Sequence, residues 1–253
     1  GKSFLTRILL AAIAQRGLAT HLVFDMHSEY GWQANSENGY AVKGLRQLLQ
    51  SSVSVFSLDP ESARRRGLNP DQDVCIGLDE IEPEDIAILA STLGISEAGV
   101  NACYTLADRY GKHWISQFLA LDQSDIAGLA AGGEHAGALA ALRRKLRDLQ
   151  RIGFVQDKAL PGGGAVKSVL ESLTAGRHVV MEFGRYGDNQ VAYVLVANLI
   201  TRRIHAEYRK RTEESLASNS KQPDPLVITI EEAHRFLNQG IASQTIFGTI
   251  ARE

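Results

Sequence analysis

The stretch Leu226-Val227-Ile228-Thr229-Ile230-Glu231-Glu232-Ala233-His234 runs five apolar or β-branched residues directly into two adjacent carboxylates. With Pro225 before it and charge after it, the run has the composition of a strand covered on both faces, as found in the middle of a parallel sheet. Its carboxylates then emerge at the C-terminal end of the strand, where open α/β sheets take their ligands. The other end of the chain supplies the complement, because the sequence opens on Gly1-Lys2-Ser3. In a phosphate-binding loop the lysine reaches the β- and γ-phosphates and the hydroxyl binds Mg2+, whose shell is completed by a carboxylate at a neighbouring strand tip. Gly1, Lys2, Ser3 and Glu231 are therefore read as one site, with Ser3 and Glu231 as metal ligands. Glu232, one residue past the strand, is read as the group that orients or deprotonates an attacking water.

The chain has 253 residues, 44% of them hydrophobic, and a formal net charge of -2, which describes an ordinary globular protein. That balance argues against a dedicated nucleic-acid module, although a ring can concentrate basic residues that the net charge hides. Cys75 and Cys103 stand without CxxC spacing and are read as reduced core residues of a cytoplasmic protein. No segment approaches the roughly 20 apolar residues of a membrane span. With no initiator Met and an opening inside a motif, the chain is expected to be a piece of a longer polypeptide, inactive by itself.

Apolar residues at Phe4, Leu5, Ile8, Leu9, Ala12 and Ile13 predict a helix ended by Gly17, its first turn turned toward phosphate. Residues 20–24 predict a buried strand that leads into Asp25-Met26-His27-Ser28-Glu29-Tyr30, and Asp25 is assigned to cofactor binding. A short helix over 44–50 and a strand over 53–58 follow, with Arg64-Arg65-Arg66 read as a solvated loop. Residues 80–160 show no convincing strand and predict helices over 84–93, 98–117 and 134–151. Leu139, Leu142, Leu146 and Leu149 stripe the last of these. Arg143, Arg147 and Arg151 recur on another face, read as solvated, with contact to a partner or a nucleic-acid backbone as the alternative. Gly162-Gly163-Gly164 reads as a hinge, since Val166 stands where a phosphate loop needs Gly before Lys167. A strand over 178–183, a long helix over 190–210, a polar loop over 213–225 and a last helix over 241–253, with Arg252 at its end, complete the pattern. The sum is an α/β fold with a mainly parallel sheet covered by helices on both faces: a first core segment over 1–79, a helical insertion over 80–163 and a second core segment over 164–253.

Taken together, Gly1-Lys2-Ser3, residues 25–30, Leu68-Asn69-Pro70, Glu231-Glu232-Ala233-His234-Arg235-Phe236 and Thr249-Ile250-Ala251-Arg252-Glu253 resemble the ATPase core of HerA-type proteins. The resemblance spans essentially the whole chain. It implies a RecA-like P-loop NTPase of the HerA and FtsK branch, with ATP and Mg2+ as cofactors. A homo-hexameric ring that translocates double-stranded DNA through its pore is implied as well. So is a partner: a NurA-like nuclease, as in end resection and DNA repair, or another effector, as in anti-phage defence. Carried over, Lys2 and Ser3 match the Walker A positions, Glu231 the metal-binding Walker B carboxylate and Glu232 the catalytic one. Glu231 stands where Asp is more general, which implies a metal contact through water. Arg252 is placed where a ring-forming ATPase offers an arginine finger to the next subunit. Two other readings stay open: a HerA-like ring that mainly scaffolds a nuclease or anti-phage effector, and a conjugation or secretion ATPase of related fold.

Overall fold

The computed structural model describes residues 2–35, 39–133, 135–161, 164–237, 242 and 244–252. Helix α1 (Lys2–Gln15) forms on the expected apolar spacing. Gly17 ends it at φ +61, a left-handed turn that glycine adopts without strain. Strand β1 (Thr20–Asp25) is buried along its whole length. A two-stranded antiparallel ladder, β2 (Ala34–Asn35) and β3 (Ala41–Val42), comes next, within a stretch expected to be loop. Then follow α2 (Leu45–Leu49), β4 (Val53–Ser57), α3 (Pro60–Arg65) and β5 (Gln72–Asp73). Helix α3 replaces the loop expected at Arg64-Arg65-Arg66. Pro60 pre-sets its first turn, and the Asp59 side chain caps it by accepting the Ser62 N–H.

The middle of the chain holds β6 (Ile76–Gly77), α4 (Pro83–Ala87), α5 (Ala90–Leu93), α6 (Glu97–Tyr110), α7 (Trp114–Ala120), α8 (Gln123–Ala131), α9 (Ala136–Gln150) and β7 (Val155–Gln156). Strands β6 and β7 pair in parallel, so the block expected to be wholly helical closes on a short strand pair. Gly111, at φ +58, ends α6 and divides the long helix expected over 98–117. On α9, Leu139, Leu142, Leu146 and Leu149 are all buried, as the stripe predicted. Arg143 does not share a solvated face with its neighbours. Its guanidinium donates to the carbonyls of Leu119 and Leu121 at the end of α7, satisfying acceptors that a helix terminus leaves orphaned. Arg147 and Arg151 are exposed.

The final stretch comprises α10 (Gly164–Thr174), β8 (His178–Glu182), α11 (Gln190–Ser218), β9 (Leu226–Ile230), α12 (His234–Leu237) and α13 (Ile246–Ile250). Of the expected hinge, Gly162 and Gly163 lie outside the described residues, and Gly164 opens α10. Helix α11 is 29 residues long and runs through to Ser218, into the segment expected to be loop. The i,i+4 pairs Arg211–Glu207 and Lys210–Glu214 support that extension, so charge that resembled a polar linker belongs to a helix surface. Helix α13 occupies only a portion of the helix expected over 241–253, and residues 241, 243 and 253 lie outside the described ones.

Five strands form one sheet in the order β5-β4-β8-β1-β9, every pairing parallel. Strand β9 therefore corrects an expectation. It pairs only with β1 among the described residues, lies at the sheet margin, and all five of its residues are half-buried rather than buried. A continuous apolar run reports that a strand needs cover on both faces; it does not report which neighbours the backbone pairs with. What brings the following carboxylates to the other strand tips is the register with β1, not a central position. The chain divides into two compact units. The first (1–74, 165–189 and 200–233) holds the sheet, and the second (75–164, 190–199 and 234–253) is largely helical. Within the first, Leu10, Val23, Tyr30, Leu45, Val53, Val55 and Val180 pack as a common core.

Candidate nucleotide site

The parallel register aligns the C-terminal ends of β8, β1 and β9: Asp25 stands opposite Glu182, and Phe24 opposite Ile230. One residue beyond β9, Glu231 turns its carboxylate onto the loop leaving β1. Its Oε2 accepts the backbone N–H groups of Met26 at 2.8 Å and His27 at 3.3 Å. Asp25 is fully buried and also faces this loop. Its Oδ1 accepts the N–H of Glu29 at 2.7 Å, and its Oδ2 those of Tyr30 at 2.9 Å and Gly31 at 3.0 Å. Glu182, equally buried, receives the Ser28 hydroxyl and the Arg66 guanidinium on Oε1, while its Oε2 is buried without a partner. Three carboxylates from three adjacent strands thus fasten one loop, residues 26–31. Gly187 lies so close behind it that a β-carbon there would overlap the Met26 carbonyl oxygen.

The first turn of α1 reaches the same loop. Tyr30 is buried, and burial, reinforced by the charge of Glu231 and Asp25, pushes its phenol up, with Thr6 and Ser3 opposing the rise. Ser3 and Glu231, from opposite ends of the sequence, therefore both act on Tyr30. Lys2 begins α1, but its side chain and Gly1 lie outside the described residues. Glu232 is exposed and adopts φ +48, a left-handed conformation that is strained for any residue with a β-carbon. Ser28 does the same at φ +57, so two of the strained non-glycine positions lie at this site. His234 and Arg252 belong to the second unit, where Arg252 is exposed and its N–H donates to the Thr249 carbonyl at 3.0 Å.

The electrostatics favour a cation. Burial, reinforced by the nearby Asp25, pushes the Glu231 carboxyl up to about 7, with the charge on His27 and the two loop N–H bonds opposing the rise. Burial likewise pushes Asp25 up to about 6 against its three loop N–H bonds, and Glu182 adds to the rise. Neighbouring carboxylates with so little compensating charge suit a divalent cation. Among the described residues no group of three or more His, Cys, Asp or Glu side chains is placed to hold one alone. A Mg2+ site completed by phosphate oxygens needs only one or two protein carboxylates, a hydroxyl and water. The first turn of α1, which carries no acidic residue to compete for its N–H groups, is compatible with those phosphates.

Glu182, Asp59 and Arg185 escaped the sequence reading, and Arg66, read as part of a solvated loop, instead pairs with the buried Glu182. Asp59 is buried, accepts the backbone N–H of Arg185 at 3.1 Å and pairs with its guanidinium at 3.2 Å. A signal was available for Glu182: like Asp25 and Glu231, it closes a run of strand-forming residues. In isolation, a single carboxylate at the end of His178-Val179-Val180-Met181 is indistinguishable from an ordinary strand terminus.

A parallel sheet with carboxylates gathered at its C-terminal tips, in a chain whose first helix begins at Lys2-Ser3, defines a RecA-like P-loop NTPase core. Residues 1–204 match the family described as "Helicase HerA, central domain", and the chain belongs to that family as a HerA-type P-loop ATPase core. The family generally uses ATP and Mg2+. The matched residues include Lys2, Ser3, Asp25 and Glu182 and end before Glu231. No curated protein matches the chain. Among the described residues, no helix is long and apolar enough to cross a membrane.

Proposed function

We propose that this chain is the ATP-hydrolysing motor domain of a homo-hexameric HerA-like translocase, acting on double-stranded DNA with a nuclease or another effector in the cytoplasm. The observation that supports the nucleotide half of this reading is that the parallel register brings the Asp25 and Glu231 carboxylates onto one loop after β1. In this reading Gly1 and Lys2 bind the β- and γ-phosphates. Ser3 would hold Mg2+ directly and Glu231 through water, and the ion would supply charge neutralisation at the phosphates. Asp25 contributes to nucleotide binding through the loop that it caps. Glu232, set off the strand path by its left-handed backbone, orients the attacking water and accepts its proton. Arg252 acts as the finger toward a neighbouring subunit's nucleotide.

The decisive experiment is steady-state ATP turnover, with and without duplex DNA, by the complete polypeptide that carries this chain. Turnover is expected to rise with DNA and to fall by at least about a hundredfold in Lys2→Ala and Glu232→Gln, the size of loss seen when a charge-stabilising or proton-accepting group is removed. Unchanged turnover in both variants overturns the reading. A DNA-independent rate that still depends on Lys2 and Glu232 retains the ATPase and removes the translocase.

A further inference from the structure

Five of the six backbone N–H groups of residues 26–31 donate to carboxylates at the strand tips, those of Met26 and His27 to Glu231 and those of Glu29, Tyr30 and Gly31 to Asp25. Ser28, the remaining residue, is held by its side chain instead. Its hydroxyl donates to Glu182 at 2.9 Å, and its backbone keeps a left-handed conformation at φ +57. A residue with a β-carbon is strained there, and such strain persists only where the surroundings over-determine it. Each residue of the loop is thus pinned. Met26, Tyr30 and Gly31 are buried, Ser28 and Glu29 are half-buried, and His27 is exposed. The His27 ring makes no hydrogen bond among the described residues, although its charge reaches the Glu231 carboxyl. An exposed histidine on a slack loop needs no explanation. One carried by a strained loop that is fastened at every position does.

We propose that His27 reads the γ-phosphate of the nucleotide, donating a ring N–H to a terminal oxygen and so favouring a nucleoside triphosphate over a diphosphate. That role rests on the nucleotide reading above and adds to it a contact that separates ATP from ADP. Gly1, Lys2 and Ser3, which in that reading serve the β-phosphate as well as the γ-phosphate, do not by themselves tell the two nucleotides apart sharply. His27 approaches from the strand tips with Glu231, not from α1. A phosphate oxygen is the strong acceptor that the ring lacks, and a neutral imidazole of either tautomer carries one N–H to give it. Fastening of the loop meets the other requirement. A donor discriminates sharply only if its position is fixed beforehand, and the bonds that fix this loop, to Asp25, Glu182 and Glu231, are all internal to the protein.

The test is nucleotide affinity in the complete polypeptide that carries this chain, measured in Mg2+ with fluorescent derivatives of ADP and of the non-hydrolysable triphosphate AMP-PNP. His27→Ala is expected to weaken the triphosphate about tenfold, the size of one lost charge-assisted hydrogen bond, and to leave ADP within about twofold. His27→Gln, which restores a neutral N–H donor, should recover most of that loss. Because the side chain is exposed, the thermal midpoint of His27→Ala should match that of the wild type. Equal weakening of both nucleotides, or weakening of neither, overturns the role. So does a lowered midpoint that accompanies the loss, since a loosened loop would then account for it. Lys2→Ala separates these outcomes from failure of the underlying reading. Loss of both nucleotides in Lys2→Ala together with unchanged affinities in His27→Ala removes only the γ-phosphate contact, whereas affinities unaffected by Lys2→Ala remove the nucleotide site itself.

Discussion

Glu231 accepts the Met26 backbone N–H at 2.8 Å across 205 residues of sequence, so the carboxylate after the last strand is hydrogen-bonded to the loop after the first. In the absence of a cation Glu231 thus belongs to the loop's scaffold, and its raised proton affinity measures how poorly that position tolerates negative charge.

The neutral isostere Glu231→Gln should therefore stabilise the metal-free chain at pH 8. The wild-type carboxyl titrates at about 7 when folded and near 4.5 when unfolded, so between those values the folded state holds a proton that the unfolded state has lost. Stability from this group is full below about pH 4.5 and is lost as pH rises toward 7. Discounted for partial exposure, the loss is on the order of 2 kcal/mol. Urea titrations should show the Glu231→Gln variant ahead of the wild type by about that amount at about pH 8 and level with it near pH 4.5. A less stable variant at the higher pH would contradict the electrostatic account.

His21 acts in the opposite direction. Burial, with the charge of the stacked His178 adding to it, pushes its imidazole down to about 4 from 6.5, although the bond to the Leu10 carbonyl at 3.0 Å opposes the shift. Between pH 4 and 6.5 the unfolded state binds a proton that the folded state refuses, so stability falls as pH drops through that window. His178 is shifted the same way by burial. In the wild type this trend is opposed by those of Glu231 and Asp25, whose folded-state carboxyls hold protons in the same window. Adding His21→Gln to Glu231→Gln should make stability fall more steeply as pH rises from about 4.5 to 6.5, and an unchanged slope would exclude His21 as a source.

Arg66 and Glu182 should be strongly coupled. The Glu182 side chain is 0% exposed and the Arg66 side chain 42%, so Arg66→Met leaves a buried carboxylate with only the Ser28 hydroxyl. A loss of about 2–3 kcal/mol is expected, below the range for fully buried pairs because one partner is partly solvated. The double variant Arg66→Met/Glu182→Gln should recover at least half of it. Additive single and double effects in a urea double-mutant cycle would show that the two groups do not interact.

Glu232 carries backbone strain that glycine would not. Glu232→Gly should stabilise the chain by about 0.5–1 kcal/mol, read as a rise of a few degrees in thermal midpoint, while abolishing ATP turnover in the complete polypeptide. A lower midpoint would mean that contacts of the Glu232 side chain outweigh the strain.

Much of this architecture was legible in the order of residues. The runs over 20–25, 53–57, 178–182 and 226–230 announced strands because short β-branched and apolar segments leave few alternatives, and α1 and the leucine stripe of α9 followed from helical spacing. Pairing was not legible. Whether β9 sits at the centre or the margin depends on backbone partners far away in sequence, which side-chain composition does not encode. Short-range charge was misleading at α11, where helix-stabilising pairs resembled a linker, and at Arg143, whose acceptors lie on another helix. Of the candidate site, the sequence pointed to residues in recognisable motifs, among them Ser3, Asp25 and Glu231. It did not point to Glu182 and Arg66, which matter only because of what they touch.

Asp25 uses two oxygens to satisfy three amides, a stoichiometry that only a full carboxylate can meet. Asparagine, its usual conservative stand-in, offers one acceptor oxygen and an NH2 group that repels the remaining amide hydrogens. Asp25→Asn would therefore leave one loop amide, that of Glu29, facing an NH2 group and loosen residues 26–31, so a loss of activity in that variant would report on the loop as well as on the reacting atoms. An informative control leaves position 25 intact and alters the partners that the loop presents.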